Sequence, residues 1–97
     1  MGLLNVKAAT TVEGQVITID LGVKCREVLV KNFGEDAAIY VGVDEGSTKT
    51  DGMVRIPSES AQVITVNMLA VWPGMTFDRI FVYADASVDV EVQAVSW

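Results

Sequence analysis

The chain has 97 residues, of which 51% are hydrophobic and 21% are charged. This length fits one domain, and the composition is that of a folded globular protein rather than a disordered one. Thirteen acidic and seven basic residues give a net charge of -6 at pH 7, which disfavours nucleic acid and anionic membranes as partners. Histidine is absent, so the commonest general base is missing.

The sequence also limits which targeting signals and which cysteine chemistry are possible. The first residues lack the apolar run of a secretory signal, and no stretch reaches the roughly 18 apolar residues of a membrane helix. We therefore expect neither export nor insertion into a membrane. The single cysteine, Cys25, cannot form an intramolecular disulfide, which fits synthesis in a reducing cytosol. We expect it to be a small buried hydrophobic residue, because a nucleophilic cysteine needs a histidine partner.

Apolar and polar residues alternate along most of the chain, which is typical of strands with one buried face. The first alternating run covers residues 15–21 and stops at Gly22. The next two runs, residues 26–32 and 37–43, are separated by four residues that suit a tight reversal. We therefore predict that these two runs form a β-hairpin. The positions predicted to face the core are Ile17, Ile19, Leu21, Val28, Val30, Ile39, Val41 and Val43.

The middle of the chain is predicted to contain a loop and two short strands. Residues 44–52 are polar throughout and contain two glycines, which indicates a loop. A strand over residues 53–56 is stopped by Pro57, and the residue types of 57–60 are those of a β-turn. Residues 61–66 form the next predicted strand, whereas residues 67–76 show no clear period and receive no assignment.

The last third shows the clearest alternation. Residues 79–84 place the aromatic rings of Phe81 and Tyr83 on one face, and residues 88–97 alternate valine or alanine with polar side chains. Residues 85–87 between them suit a short hairpin loop. The chain is therefore predicted to be all-β, as a small antiparallel β-sandwich of jelly-roll type or a barrel, with about 6–8 strands. This single domain covers residues 1–97, and residues 1–14 form either an ordered strand or an N-terminal arm.

Clustered carboxylates are the first candidates for chemistry. Asp44, Glu45 and Asp51 offer the oxygen ligands that calcium prefers, but they lack the spacing of an EF-hand, so we interpret them as solvated loop charges. Two carboxylates can also serve a glycosidase. The candidates for such a pair are Glu59 with Asp78 and Asp89 with Glu91. Asp89 and Glu91 lie on one face of a strand whose other face is apolar, which indicates a solvated outer face. We predict no catalytic residue, no metal site and no cofactor, and hence a protein that is not an enzyme.

Subunit contact is the function that the apolar residues favour. A mean hydropathy of +0.38 is high for a chain of this length, whose small core leaves many apolar residues exposed. Trp72 and Trp97 could stack on a sugar or a base, yet two tryptophans serve equally well in a core or an interface. The residues predicted to form an interface are Met68, Leu69, Val71, Trp72, Met75 and Trp97.

Four stretches of the chain resemble a pattern found in small β-sandwich virion proteins of tailed bacteriophages. They are residues 25–34, which end in Asn32-Phe33-Gly34, then Ile39-Tyr40-Val41-Gly42, Pro57-Ser58-Glu59-Ser60 and Ile80-Phe81-Val82-Tyr83-Ala84. The resemblance covers about three quarters of the chain. It departs from the pattern at Ser58, where glycine is usual, and over residues 67–78, which are longer than the usual return.

The resemblance implies a structural role in a virion, as a head decoration or cement protein, a head-fibre base or a tail appendage, with no catalytic or cofactor residues. We expect a capsid decoration subunit, made in the host cytoplasm, that binds the major capsid protein or another virion protein as a homo-oligomer, with a homotrimer favoured. The alternative is a carbohydrate-binding or adhesin module of a tail or fibre, which would use Trp72 or residues 44–52.

Overall fold

The computed structural model of the chain describes residues 4–65 and 76–95. Their regular secondary structure consists of β-strands, as the sequence predicts, and no helix among them could span a membrane. The strands are β1 (Leu4–Thr10), β2 (Gln15–Cys25), β3 (Glu27–Asn32), β4 (Ile39–Gly42), β5 (Val54–Ile56), β6 (Ala61–Thr65), β7 (Phe77–Ala84) and β8 (Asp89–Val95).

The strands form two four-stranded antiparallel sheets. Sheet A has the order β1-β8-β3-β6, and sheet B has the order β2-β7-β4-β5. Two packed sheets of four strands, in which the chain passes repeatedly from one sheet to the other, are the arrangement of a jelly roll. The domain is therefore a β-sandwich rather than a barrel.

Both predicted hairpins are wrong. The strands β3 and β4 lie in different sheets, and so do β7 and β8; of the consecutive strands, β4 and β5 are the pair that lies side by side. Each predicted pair does turn its apolar faces toward the same core. Alternation identifies the buried face of a strand. It does not tell whether the next strand lies beside it in the same sheet or opposite it in the other sheet, because both arrangements give the same alternating pattern.

The core lies between the two sheets. Six of the eight core positions predicted from the first three runs are buried, and Ile17 and Val43 are half-buried. Fully burying an aliphatic side chain of this size contributes about 1.5–3 kcal/mol to stability. The core is completed by Cys25, Ile56, Ile64, Phe77, Ile80, Val82, Ala84, Val88, Val90, Val92 and Ala94.

The strand predicted to stop at Gly22 continues to Cys25. Its register with β7 shifts between Asp20 and Cys25, which marks a bulge. Gly22 lies at the bulge with a φ of 76°, a left-handed conformation that favours glycine, and its N–H donates a hydrogen bond to Asp20 Oδ1 at 2.9 Å. A glycine inside an alternating run can thus mark a bulge rather than the end of a strand.

Cys25 is fully buried, as predicted, beside Phe77, whose carbonyl oxygen lies 3.5 Å from the thiol sulfur. Burial, followed by the negative charges of Asp78 and Glu27, raises the pKa of Cys25 to about 11. The side chain is therefore a neutral thiol at physiological pH, and thiols in this state are poor nucleophiles.

The buried polar side chain of Asn32 connects two crossovers between the sheets. Its Nδ2 donates hydrogen bonds to the carbonyl oxygens of Ala37, Ile56 and Pro57 at 2.8, 3.2 and 3.1 Å. Its Oδ1 accepts a hydrogen bond from the N–H of Gly34 at 2.8 Å. One side chain thereby ties the β3–β4 connection to the β5–β6 connection.

Thr11 does the same for a second pair of crossovers. Its hydroxyl donates to the carbonyl of Ala86 at 2.7 Å and accepts from the N–H of Val88 at 2.8 Å. These bonds join the β1–β2 turn to the β7–β8 connection. Thr11 and Asn32 are the two buried polar residues among those the structure describes, and both have their hydrogen bonds satisfied.

The turn over residues 57–60 explains why serine is tolerated at position 58. The residue with a left-handed backbone in this turn is Glu59, with a φ of 54°, and not Ser58. Its N–H donates to the carbonyl of Gly34 at 3.1 Å, which holds the turn against the β3–β4 crossover. Position 58 therefore places no demand for glycine on the backbone.

Candidate docking face

The interface residues predicted from the sequence lie outside the described part of the chain. They are Met68, Leu69, Val71, Trp72, Met75 and Trp97, so their role stays a prediction. The described residues instead present a different apolar surface, the outer face of sheet A, which we call the docking face.

An apolar row crosses the whole width of this face. Four residues of neighbouring strands lie side by side in the pairing register. Their order is Val6 on β1, Gln93 on β8, Leu29 on β3 and Val63 on β6. With strands about 4.8 Å apart, a row of four spans about 14 Å. Three of its four members are apolar, although their strand positions belong to the solvent side of the sheet.

The exposed apolar side chains of the molecule are concentrated on this face. Six large apolar residues are strongly exposed in the described ranges, and four of them lie here: Leu4 at 60%, Phe33 at 55%, Val6 at 54% and Val63 at 46%. The other two are Val12, in the β1–β2 turn, and Val16, on sheet B. Single exposed apolar residues are ordinary, whereas a contiguous group of them marks an interaction site.

Three charged residues of the docking face contact neighbouring polar side chains. Glu91 accepts a hydrogen bond from Gln93 at 2.9 Å and lies 3.6 Å from the Lys31 ammonium, while Asp89 accepts from Thr10 at 2.8 Å. The hydrogen bond from Gln93 and then the charge of Lys31 hold the pKa of Glu91 below its usual value. The exposed Glu27 lines the same depression as Leu29 and Val63, so a partner that docks here has to accommodate a carboxylate beside the apolar row.

The outer face of sheet B has a different character. A row of Val16, Tyr83, Tyr40 and Arg55 crosses it, and the two tyrosine rings lie 6.2 Å apart. The loop over residues 44–52 folds onto this row. Its Lys49 ammonium lies 5.3 Å from the centre of the Tyr40 ring and 5.9 Å from that of Tyr83, which places a cation beside both rings.

The loop is held in place by Asp85. Its carboxylate accepts a hydrogen bond from the Tyr83 hydroxyl at 2.6 Å and forms an ion pair with Lys49 at 3.0 Å. These contacts raise the pKa of Tyr83, chiefly through the hydrogen bond to Asp85, and raise that of Lys49 for the same reason. They lower the pKa of Asp85, with the Tyr83 hydrogen bond as the largest cause.

These shifts predict how pH acts on the loop. The contribution of a group with a lowered pKa is lost as pH falls through that pKa, and the contribution of one with a raised pKa is lost as pH rises through it. The contacts of Asp85 with Tyr83 and Lys49, which we call the anchor, are therefore complete at neutral pH. The anchor weakens in acid, where Asp85 takes up a proton, and in strong base, where Tyr83 and Lys49 lose theirs.

We expect Asp85→Asn to lower the pKa of Tyr83 toward the ordinary tyrosine value. The measurement is the tyrosinate absorbance against pH in a Tyr40→Phe background, where Tyr83 is the one remaining tyrosine of the chain. The matched control is Asp44→Asn, which removes one carboxylate from the loop but none from the anchor. A Tyr83 titration that Asp85→Asn leaves unchanged would contradict the anchor.

The carboxylates singled out in the sequence are dispersed. Asp44, Glu45 and Asp51 are exposed on the loop, and the described residues contain no group of three or more side chains able to hold a metal ion. Asp89 and Glu91 lie on the outer face of sheet A, as their strand positions predict.

A signal for the docking face was present in the sequence. Leu29 and Val63 occupy positions where the alternating pattern of their runs calls for polar residues. Apolar residues on the solvent side of several alternating runs indicate a second apolar face. The predicted interface instead draws on residues between 67 and 76, which have no clear period, and on Trp97.

Comparisons with known protein families, with curated proteins and with solved structures found no match to this chain.

Proposed function

We propose that this protein is a non-catalytic structural subunit of a tailed-bacteriophage virion, a head decoration protein that binds the shell lattice through the docking face. The observation that carries the proposal is the apolar row of Val6, Leu29 and Val63 on the solvent side of sheet A. An exposed apolar row of this width is typical of a protein that functions against a larger surface.

The proposed mechanism is association alone. Each bound copy removes apolar surface from water, which contributes about 25 cal/mol per Å², and copies that bridge neighbouring shell subunits add contacts to the lattice. Of the charges on the face, Lys31 and Glu91 form an ion pair, and Asp89 is hydrogen-bonded to the Thr10 hydroxyl. Unpaired charges would have to lose their water upon docking, at a large cost in free energy.

The resemblance to virion β-sandwich proteins supports the fold more than the docking surface. Its Asn32 and Gly34 lie in the crossover network, and its Gly42 approaches the loop so closely that an added Cβ would lie 2.9 Å from the Cβ of Ser47. These motif residues hold the sandwich together. The docking face draws on Leu29 and Phe33 of the same stretch and on Val6 and Val63, which lie outside the four stretches.

Co-sedimentation with heads of the encoding phage tests the proposal. The purified chain is mixed with heads that lack it, before and after expansion of the shell, and the bound fraction is measured. We expect saturable binding to one of the two states. Leu29→Lys, at the centre of the docking face, is expected to weaken binding at least about tenfold, because a charge would have to be buried upon docking.

The matched control is Val16→Lys, which introduces the same charge on the outer face of sheet B. We expect it to leave binding unchanged. Both variants are checked by circular dichroism and thermal unfolding. Absence of binding to either head state would contradict the proposed role. Equal losses with Leu29→Lys and Val16→Lys would show that binding does not use the docking face.

A further inference from the structure

Within residues 4–65 and 76–95, the sandwich has four edge strands, each with backbone N–H and C=O groups along one side that pair with no other described strand. The edges of sheet A are β1 and β6, and those of sheet B are β2 and β5. Such edges can pair with a strand of another chain, and most proteins obstruct them with charges, bulges, proline or very short strands.

Three of the four edges are obstructed. On β1, the charged Lys7 pairs with Val92, a core position of β8, and therefore lies on the inner side of sheet A. On β2, the bulge at Gly22 breaks the straight line of the edge. The edge β5 has three residues and is followed directly by Pro57. The edge β6, with the sequence Ala-Gln-Val-Ile-Thr, has no charge, proline, glycine or bulge.

The residue at the centre of each edge strand decides whether the strand can pair with its own copy. When two copies of a strand pair antiparallel in full overlap, the central residue faces itself across the two-fold axis. The central residues of β1, β2 and β5 are Lys7, Asp20 and Arg55, and that of β6 is Val63. Like charges directly opposite each other destabilise a strand pair, whereas two β-branched residues stabilise it.

We infer that β6 pairs antiparallel with β6 of a second copy, so that the two A sheets join into one continuous eight-stranded sheet. Val63 then lies opposite its counterpart, and Ala61 lies opposite Thr65 of the other copy. The apolar row Val6-Gln93-Leu29-Val63 continues into the same row of the second copy in reverse order. The two docking faces become one surface of twice the width.

This inference does not depend on the proposed virion role, since the β6 contact can form whether or not the protein binds a shell. It is a two-fold contact and gives a dimer, which differs in mass from the trimer that the sequence favours. Sedimentation therefore separates the two states, and failure to bind heads leaves the dimer intact.

The experiment is analytical ultracentrifugation of the full chain over a roughly hundredfold range of concentration, because association depends on concentration. We expect a dimer of twice the chain mass of 10.4 kDa, which dissociates upon dilution. Val63→Lys places like charges opposite each other and is expected to raise the dissociation constant at least about tenfold. Val6→Lys is the matched control, since Val6 is an equally exposed valine on the opposite edge of the same row, and it should leave the dimer unchanged.

A second variant removes any ambiguity from misfolding. Val63→Cys is expected to give a disulfide-linked dimer upon mild oxidation, whereas Val6→Cys should not, and the buried thiol of Cys25 does not compete. A monomer at every concentration would overturn the inference, and so would a trimer. A dimer that survives Val63→Lys, or that Val6→Cys links and Val63→Cys does not, would place the contact elsewhere and overturn it equally.

Discussion

Replacing Asn32 with alanine is expected to lower the free energy of unfolding by about 3–5 kcal/mol. The side chain is 1% exposed and makes four hydrogen bonds to the backbone of two crossovers. Alanine leaves the N–H of Gly34 and up to three carbonyl groups without their partner. Each buried polar group left unsatisfied costs about 1–3 kcal/mol. Since domains of this kind are stable by only about 5–15 kcal/mol, the loss is a large share of the total.

Urea unfolding followed by far-UV circular dichroism measures this effect. The matched control is Asn5→Ala, because the half-buried Asn5 donates one hydrogen bond, to the carbonyl of Leu21 at 3.1 Å. We expect the control to cost about 1 kcal/mol. Asn32→Asp should be as damaging as Asn32→Ala, since it keeps the acceptor for Gly34 but turns a second acceptor toward three carbonyl oxygens. An Asn32→Ala variant no less stable than Asn5→Ala would contradict the role of Asn32.

The second large effect is expected at Gly34, where the chain passes close to its neighbours. A Cβ at this position would lie 2.8 Å from Cγ1 of Val88 and 3.0 Å from Oδ1 of Asn32. Such contacts force the backbone or the buried Asn32 network to move. We expect Gly34→Ala to destabilise the domain by about 2–4 kcal/mol, which is at or slightly above the usual range for overpacking because the hydrogen bonds are disturbed as well.

A double-mutant cycle identifies the cause of the loss at Gly34. Val88→Ala removes the Cγ1 atom that the new methyl group would meet, so the double variant should lose less stability than the sum of the two single variants. We expect a coupling of about 1 kcal/mol or more in this direction. Strictly additive losses would show that contact with Val88 is not what excludes a side chain here.

Strand positions and buried faces were predictable because a strand repeats every two residues. Ile19, Val28 and Val41 are buried as the alternation indicates. The assignment of strands to sheets was not predictable in the same way, because β4 satisfies its apolar face equally well beside β3 or opposite it. The crossover between β3 and β4 is held instead by Asn32 and Gly34, through hydrogen bonds and a close contact. Neither residue carries a periodic signal.

The candidate site shows a related limit. The sequence predicts an interface where apolar residues are most concentrated along the chain, and those residues lie outside the described ranges. The docking face is instead assembled from single apolar residues of three different strands, Val6, Leu29 and Val63. Their adjacency depends on the strand order β1-β8-β3-β6. Without that order, each of them reads as an isolated exposed residue.

The pairing of β1 with β8 also determines when this protein can fold in the cell. Leu4 lies beside Val95, so β1 has to wait for β8 to be synthesised. Sheet A cannot close earlier, because β8 lies between β1 and β3. Long-range pairing of this kind slows folding and exposes apolar strands in the meantime. Folding of this domain is therefore completed only after β8 has been synthesised, and the nascent chain carries its apolar faces unprotected until then.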